Sequence, residues 1–365
     1  MDRRHFIVIG AAGLTASVVP GPGQAAFAPQ PDAWRRFELV TRIDLPPSAE
    51  PAQVWVPVPA VSEPGWMKAG DSTWRGNATS AERASDPEGT ASFVHAKWSA
   101  EAGVRTLTVT SIAMARDRNA DLSDAPGAVP LLPAAERRLY TASTDLIPTD
   151  GIVKDTADGI VGWARSDLAK AQRIYDWIVE NTARNPETRG CGLGDVASML
   201  AMGDLTGKCA DLNALYVGLA RAAGLPARDV YGLRVAPSAF GYKSLGAGSN
   251  DVTKAQHCRA EVWLEDFGWV AVDPADVRKV MLEEPPKDLP LDHPKVTAAR
   301  DALFGGWEGN WIGYNFAHDV VLPGATNGAV PFLMYPEGEV GGRRLDPLDP
   351  ASFSYTITAR ELPIA

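Results

Sequence analysis

The sequence predicts an α+β protein, with a β-rich N-terminal part followed by a core of helices and an antiparallel hairpin. Three observations predict this. Residues 30–130 show strand-like alternation broken by Pro and Gly. Residues 167–222 carry helical apolar stripes. Residues 257–273 read as two strands about a turn. A chain of 365 residues exceeds one typical compact domain, so two or more units are expected. Its 45% hydrophobic and 22% charged residues are those of a globular protein that buries a core without staples.

The first 25 residues, MDRRHFIVIGAAGLTASVVPGPGQA, are read apart from the fold. A charged start leads into an apolar run from Phe6 to Val19, then to small residues with Gly23-Gln24-Ala25 as a cleavage site. Arg3-Arg4-His5-Phe6 resembles a twin-arginine export signal. The run is short for a membrane span, so residues 1–25 are expected to be a removed signal peptide. The expected product is periplasmic or secreted, with no stable membrane insertion after cleavage. The chain carries a formal net charge of -10. Losing Asp2, Arg3 and Arg4 would leave about -11. That balance speaks against nucleic acid or an anionic membrane as partner, since both select basic surfaces.

Residues 30–130 are expected to form a small β-sandwich. In AQVWVPVPA, Val54, Val56 and Val58 share one face; in VRTLTVTSIAMA, Leu107, Val109 and Ser111 do. Pro57 and Pro59 lack ladder donors and predict an edge strand there. Residues 131–165 form a Pro- and Asp-rich transition. The core is placed at 166–325, with strands in 326–365 completing the fold. Its first helix has Asp167 at the N-cap and Ile174, Trp177 and Ile178 on one stripe. After a glycine-framed loop, Leu212, Leu215, Tyr216 and Leu219 mark a second helix, ended by Gly224 and Pro226. A strand, ARDVYGLRVAP, and a long polar loop, SAFGYKSLGAGSNDVTKAQ, precede the hairpin.

Three residues carry candidate chemistry. Cys209 opens the second helix, where the macrodipole, free N–H groups and Lys208 favour thiolate. The Cys209 backbone amide can also stabilise an oxyanion. His257 ends the polar loop at the start of a strand. Asp273 lies sixteen positions later, and a turn at Glu265–Gly268 brings the two side by side. Nucleophile, base and orienter are the parts of a cysteine hydrolase or acyl transferase. Taken alone, each has an ordinary reading: a buried thiol, a satisfied histidine, an Asp-Pro turn.

Other readings fit less well. Gly207-Lys208 lacks the earlier glycine of a phosphate loop, where Met202 stands. A zinc site from Cys191, Cys209, His257 and Cys258 lacks paired-ligand spacing. Trp307, Trp311, Tyr314 and Phe316 read as core packing before a binding shelf. His318 could rival His257 but has no matching motif. No metal or cofactor motif is found.

GKCADLNALYVGLARAAGLPAR followed by HCRAEVWLEDFGWVAVDPAD resembles the transglutaminase-like superfamily. The motifs are Gly207-x-Cys209, Gly224-Leu225-Pro226-Ala227-Arg228, the His257 strand, and Gly268-Trp269 through Asp273-Pro274. The resemblance spans residues 165–280. It implies a papain-like core, a cysteine helix packed on an antiparallel sheet, with Cys209 as nucleophile, His257 as base and Asp273 as orienter, and no metal requirement. Many members carry an aromatic residue where this chain has Arg259. Lys208, Arg259 and Trp269 are therefore groove candidates, though an ion pair from Arg259 to Glu261 or Asp266 is the plainer reading. Cys191 and Cys258 are the candidate disulfide pair, with Cys258 expected to face away from the groove because it alternates with His257. The expectation is an exported cysteine peptidase or amidase working through a thioester on a peptide, a protein or a cell-envelope amide. A cross-linking transglutaminase, or an idle peptide- or envelope-binding scaffold, is the alternative.

Overall fold

The computed structural model describes residues 27–364 apart from 101, 102, 126 and 128. The expected signal peptide lies outside the described residues. In chain order the β-rich part is β1 Arg35–Leu45, β2 Ala52–Pro57, β3 Met67–Gly76, β4 Ser80–Ser85, β5 Ser92–Trp98 and β6 Arg105–Ala115. Then follow α1 Ala134–Thr141, α2 Gly151–Val161, α3 Asp167–Asn181, β7 Ala183–Arg184, α4 Val196–Met202, β8 Thr206–Gly207 and α5 Cys209–Ala222. The chain continues with β9 Ala227–Arg234, β10 Gln256–Leu264, β11 Gly268–Val272, α6 Pro274–Glu283, α7 Pro294–Ala302 and β12 Trp311–Asn315. It ends with β13 Glu337–Val340, β14 Arg343–Arg344 and β15 Tyr355–Leu362.

The architecture is mixed α and β. One sheet runs β15-β1-β6-β3 and another β14-β13-β2-β5-β4. Ile43, Leu45, Val54, Val56, Val94, Leu107 and Phe353 form a shared core between them. The last three strands therefore close the N-terminal sandwich instead of extending the helical core. β2 is a central strand, between β13 and β5, and not the expected edge. The reason is local: Pro57 is its last residue and Pro59 falls outside it, so neither interrupts the ladder. Val54, Trp55 and Val56 are buried on both faces accordingly.

The third sheet runs β11-β10-β9-β12, all antiparallel. α5 packs against it and is buried from end to end. That complete burial explains why its apolar stripe is backed by Ala210, Ala214 and Gly218 on the remaining sides, where α2, α3 and α4 close in. The sandwich and this core meet through tryptophans. Trp66 stands edge-on to Trp307 with ring centroids 5.1 Å apart, and Trp311 lies beside both.

Candidate active site

Cys209 is the first residue of α5, and the loop before it is tied down by one carboxylate. Asp211 accepts hydrogen bonds from the backbone N–H groups of Lys208 at 3.0 Å, Leu193 at 2.9 Å and Gly194 at 3.0 Å. This cradle explains two glycines: a Cβ at Gly207 would sit 2.4 Å from the Asp211 carboxylate, and one at Gly192, whose φ is +96°, would sit 1.9 Å from it. Ala210 N–H donates to the Cys191 carbonyl at 2.9 Å. The segment carrying Cys191 is thereby held against the mouth of the helix.

His257 is the second residue of β10. Its ring Nε2 lies 2.8 Å from Asp273 Oδ2 and 3.4 Å from Asp276 Oδ2. Nε2 is thus taken up by the carboxylates, and the imidazole also stands near enough to Cys209 to lower its pKa. The hairpin register runs from Leu264 opposite Gly268 to Ala260 opposite Val272. Asp273 thus falls beside Arg259, two positions along from His257. The offset of two keeps both side chains on one face, and the pair meets diagonally. Asp273 is also the N-cap of α6, accepting from Asp276 N–H at 3.1 Å.

Several residues that hold this arrangement carry no sequence motif. Asn213, one turn beyond Cys209, donates to the Cys258 carbonyl at 2.8 Å and to Asp273 Oδ1 at 3.3 Å. Arg234 on β9 binds both Asp276 oxygens, at 2.6 and 2.8 Å. Trp311 donates its indole N–H to the His257 carbonyl at 2.8 Å. Only Asp276 left a signal, as an acid three residues after an Asp-Pro N-cap.

The electrostatics favour opposite charges on Cys209 and His257. Hydrogen bonds from the Cys191 and Cys258 thiols, joined by His257, hold the Cys209 pKa well below the ordinary thiol range against the opposing effect of burial. Burial and Arg234 push the His257 pKa down, but Asp276 and Asp273 outweigh them and it ends at about 9. Near neutral pH the pair is thiolate and imidazolium. Burial opposes ionisation of Asp276, yet Arg234 and then His257 hold its carboxyl well below the usual range. Burial and the Asp276 charge raise that of Asp273.

A cavity of about 590 Å³ opens over the sulfur and the imidazole, lined by Lys208, Cys209, His257, the end of the polar loop and the C-terminal segment. Two of the expected groove residues are elsewhere. Arg259 is buried behind His257, between Trp307 at 5.0 Å and Trp311 at 4.8 Å, with Nε 3.6 Å from Asp273. It does not pair with Glu261, because Arg228 and Arg118 already occupy that carboxylate. Trp269 packs on the Arg228 guanidinium at 4.0 Å and edge-on to Tyr140, on the same sheet face as His257 but at the far end of the hairpin, opposite Trp263. The expected Cys191–Cys258 disulfide is not formed: all three cysteines are free thiols. Cys258 does lie on the opposite sheet face from His257 and away from the cavity. α5 packs on that face, so Cys258 hydrogen-bonds to Cys209 instead of bridging to Cys191. The aromatic set around Trp307 and Trp311 is core, as its burial shows. His318 lies on the Cys258 side of the sheet, outside the cavity.

Among the described residues, His257, Asp273 and Asp276 are the side chains close enough to share an ion, within 4.8 Å of one another. Arg234 already neutralises Asp276, and backbone and Asn213 donors occupy Asp273. The donor set is committed to holding the imidazole.

Comparison with known proteins gives the family and the fold. The family model of the transglutaminase-like superfamily matches residues 154–274, which span α3, α5 and the hairpin through Asp273. The chain belongs to the transglutaminase-like superfamily. An uncharacterized protein of Haemophilus influenzae is 36% identical over 322 residues, covering 85% of this chain and 86% of that one. A candidate cysteine protease from Cytophaga hutchinsonii shares the fold, with a TM-score of 0.50 at 17% identity, over 90% of this chain and 99% of that one. The superfamily match ends one residue beyond Asp273. Asp276, and the C-terminal wall of the cavity, are therefore contributed outside it.

Proposed function

We propose that this protein is a cysteine-dependent amide hydrolase of peptidase or amidase type. The observation that carries the reading is the line from Cys209 through His257 to Asp273, opening onto one cavity. Cys209 thiolate attacks the carbonyl carbon of a bound amide. Its own backbone N–H, in the first turn of α5 and without an intrahelical acceptor, faces the developing oxyanion. His257 gives its proton to the departing amine, leaving a thioester on Cys209. Water, deprotonated by His257, then releases the acid. Asp273 orients the imidazole and stabilises its positive charge.

Transfer to a primary amine in place of water is the second reading, favoured by superfamily membership alone. We also propose that the protein is exported and meets a peptide, protein or envelope amide outside the cytoplasm. That part rests on the first 25 residues of the sequence. Among the described residues no helix is long and apolar enough to cross a membrane.

The test is acylation by an activated ester, p-nitrophenyl acetate, followed by intact and peptide mass. The expected result is one acetyl group on Cys209, lost with time in water and lost faster if a primary amine is an acceptor. Acetylation spread over all three cysteines, or none on Cys209, would overturn the reading.

A further inference from the structure

The cavity has a charge opposite to that of the protein. The chain holds 45 acidic against 35 basic residues. Yet the cavity is lined by Arg184, Arg189, Lys208, Arg234, Lys254 and Lys279 against a single carboxylate, Asp251. The three arginines are engaged: Arg184 with Glu283, Arg189 with Asp346 and Arg234 with Asp276. The three lysines are less so: Lys254 has only the weak pull of exposed Asp251, and Lys279 a long ion pair. Lys208 and Lys254 form no ion pair among the described residues. Lys279 Nζ is 3.9 Å from Glu283 Oε2, and the other oxygen of that carboxylate already bonds Arg184.

Their placement ties them to the chemistry. Each lysine lies on the cavity wall and close in sequence to one member of the Cys-His-Asp line. Lys208 is the N-cap of the cysteine helix, and Lys254 is three residues before His257. Lys279 lies on α6, the helix that Asp273 caps. The opposite wall, from the C-terminal segment, offers Tyr335, Leu348, Phe353 and Tyr355. A ligand there meets under-paired ammonium groups on one side and apolar surface on the other. In a cavity partly screened from water, such charges select anions more strongly than an open surface does.

We propose that the substrate is a peptide carrying a carboxylate within one or two residues of the amide that Cys209 attacks, and that Lys208, Lys254 and Lys279 bind it. This rests on Cys209 as the nucleophile and names the substrate class of that site. Burial and Arg234 push the Lys279 pKa down to about 8, against the upward pull of Asp276 and Glu283.

The experiment compares two alkylating agents of nearly the same shape on the full mature chain. Iodoacetate carries a carboxylate and iodoacetamide does not. The rate ratio at Cys209, read by peptide mass, is divided by the ratio for a small free thiol. This cancels the reactivity of the sulfur itself, so the ratio is readable even at a pH where Cys209 proves slow. Slow iodoacetamide labelling near neutral pH would count against the nucleophile; a ratio of one would count against anion selection. We expect the ratio to favour iodoacetate about tenfold at low salt and to fall several-fold in 0.5 M salt, where the Debye length is only about 4 Å. We expect Lys254→Gln and Lys279→Gln each to lower it about threefold. A ratio near one that neither variant changes would overturn the proposal. Two peptides then separate the sources of the carboxylate, by protection of Cys209 from iodoacetamide. One is capped at both ends with an internal glutamate; the other is neutral with a free C-terminus. Protection by the first places the carboxylate on a side chain, and by the second on a chain end. Protection by neither contradicts the proposal.

Discussion

The same sheet holds two histidine–aspartate pairs, on opposite faces. On one, His257 sits 2.8 Å from Asp273 and beneath the large cavity. On the other, His318 Nε2 sits 3.4 Å from Asp229 Oδ2, and its Nδ1 lies 3.5 Å from the Tyr231 hydroxyl. The second pair borders a space of about 10 Å³, at the lower limit for one water. Their protonation is opposite. Burial and Arg221 hold the His318 pKa well below its ordinary range, and burial raises Asp229 to about 8. Near neutral pH that pair is uncharged, whereas His257 is an imidazolium between carboxylates. The cause is the company each keeps. Asp276, locked by Arg234, and the first turn of α6 surround the first pair; Asp229 has neither oxygen hydrogen-bonded. A histidine beside an aspartate is thus not a site by itself. What distinguishes the His257 pair is the neighbouring Cys209 thiol, a fixed counter-charge and an open cavity.

The strongest way to break this comparison is to remove the thiol. Cys209→Ala should lower turnover of an activated ester by about 10⁴-fold or more, because the other thiol on the cavity wall, Cys191, is held protonated by its contact with Cys209 and by burial. Residual turnover within tenfold of the intact protein would mean the chemistry lies elsewhere. Next comes an exchange of histidines. His257→Ala should cost about 10³-fold in acylation rate, while His318→Phe should change it by less than about threefold. Equal losses would erase the distinction between the two faces.

The buried ion pair offers a stability contrast. Asp276→Asn leaves Arg234 charged and under-paired in the interior, and should cost about 3–5 kcal/mol in urea unfolding. Asp229 is protonated near neutral pH in the folded state, and in the unfolded state only below about pH 4, so Asp229→Asn should be nearly neutral at pH 3. Its folded pKa lies above its unfolded one. Wild-type stability is therefore present at low pH and declines as pH rises toward about 8. The Asn variant lacks that decline and should gain relative stability at pH 8. An equal difference at pH 3 and pH 8 would show that the folded pKa of Asp229 is not raised.

A smaller effect sharpens the charge assignment. Acyl transfer needs the imidazolium as proton donor, so turnover should fall as pH rises through about 9, while alkylation of Cys209, which needs only thiolate, should not. Parallel falls in both would contradict a thiolate–imidazolium pair.

The centre of the site was legible in the sequence because its parts are locally encoded. A cysteine at a helix start, a histidine opening a strand and an Asp-Pro ending its hairpin partner are each written in a few adjacent residues. The supports were not, because they depend on contacts between distant elements. Arg234 reaches Asp276 across 42 positions, and Trp311 reaches His257 across 54. Arg259 looked like a groove residue because its strand position is next but one to His257. Only the packing of Trp307 and Trp311 shows that it faces inward. The proline-bearing β2 became central because strands from the far C-terminus supply its second neighbour, β13. The cysteine pairing failed for a similar reason. Alternation gave the right face for Cys258, but not the helix that lies upon it.

The central claim is that Cys209 is a thiolate held by His257. The most direct measurement is the rate of iodoacetamide labelling at Cys191, Cys209 and Cys258 between pH 4 and 10, read by peptide mass, in the wild type and in His257→Ala. The account predicts that Cys209 labels at pH 6 about 100-fold faster than the other two, and that His257→Ala moves its profile upward toward an ordinary thiol. Three similar profiles, all rising only above pH 8, with no change on losing His257, would contradict it.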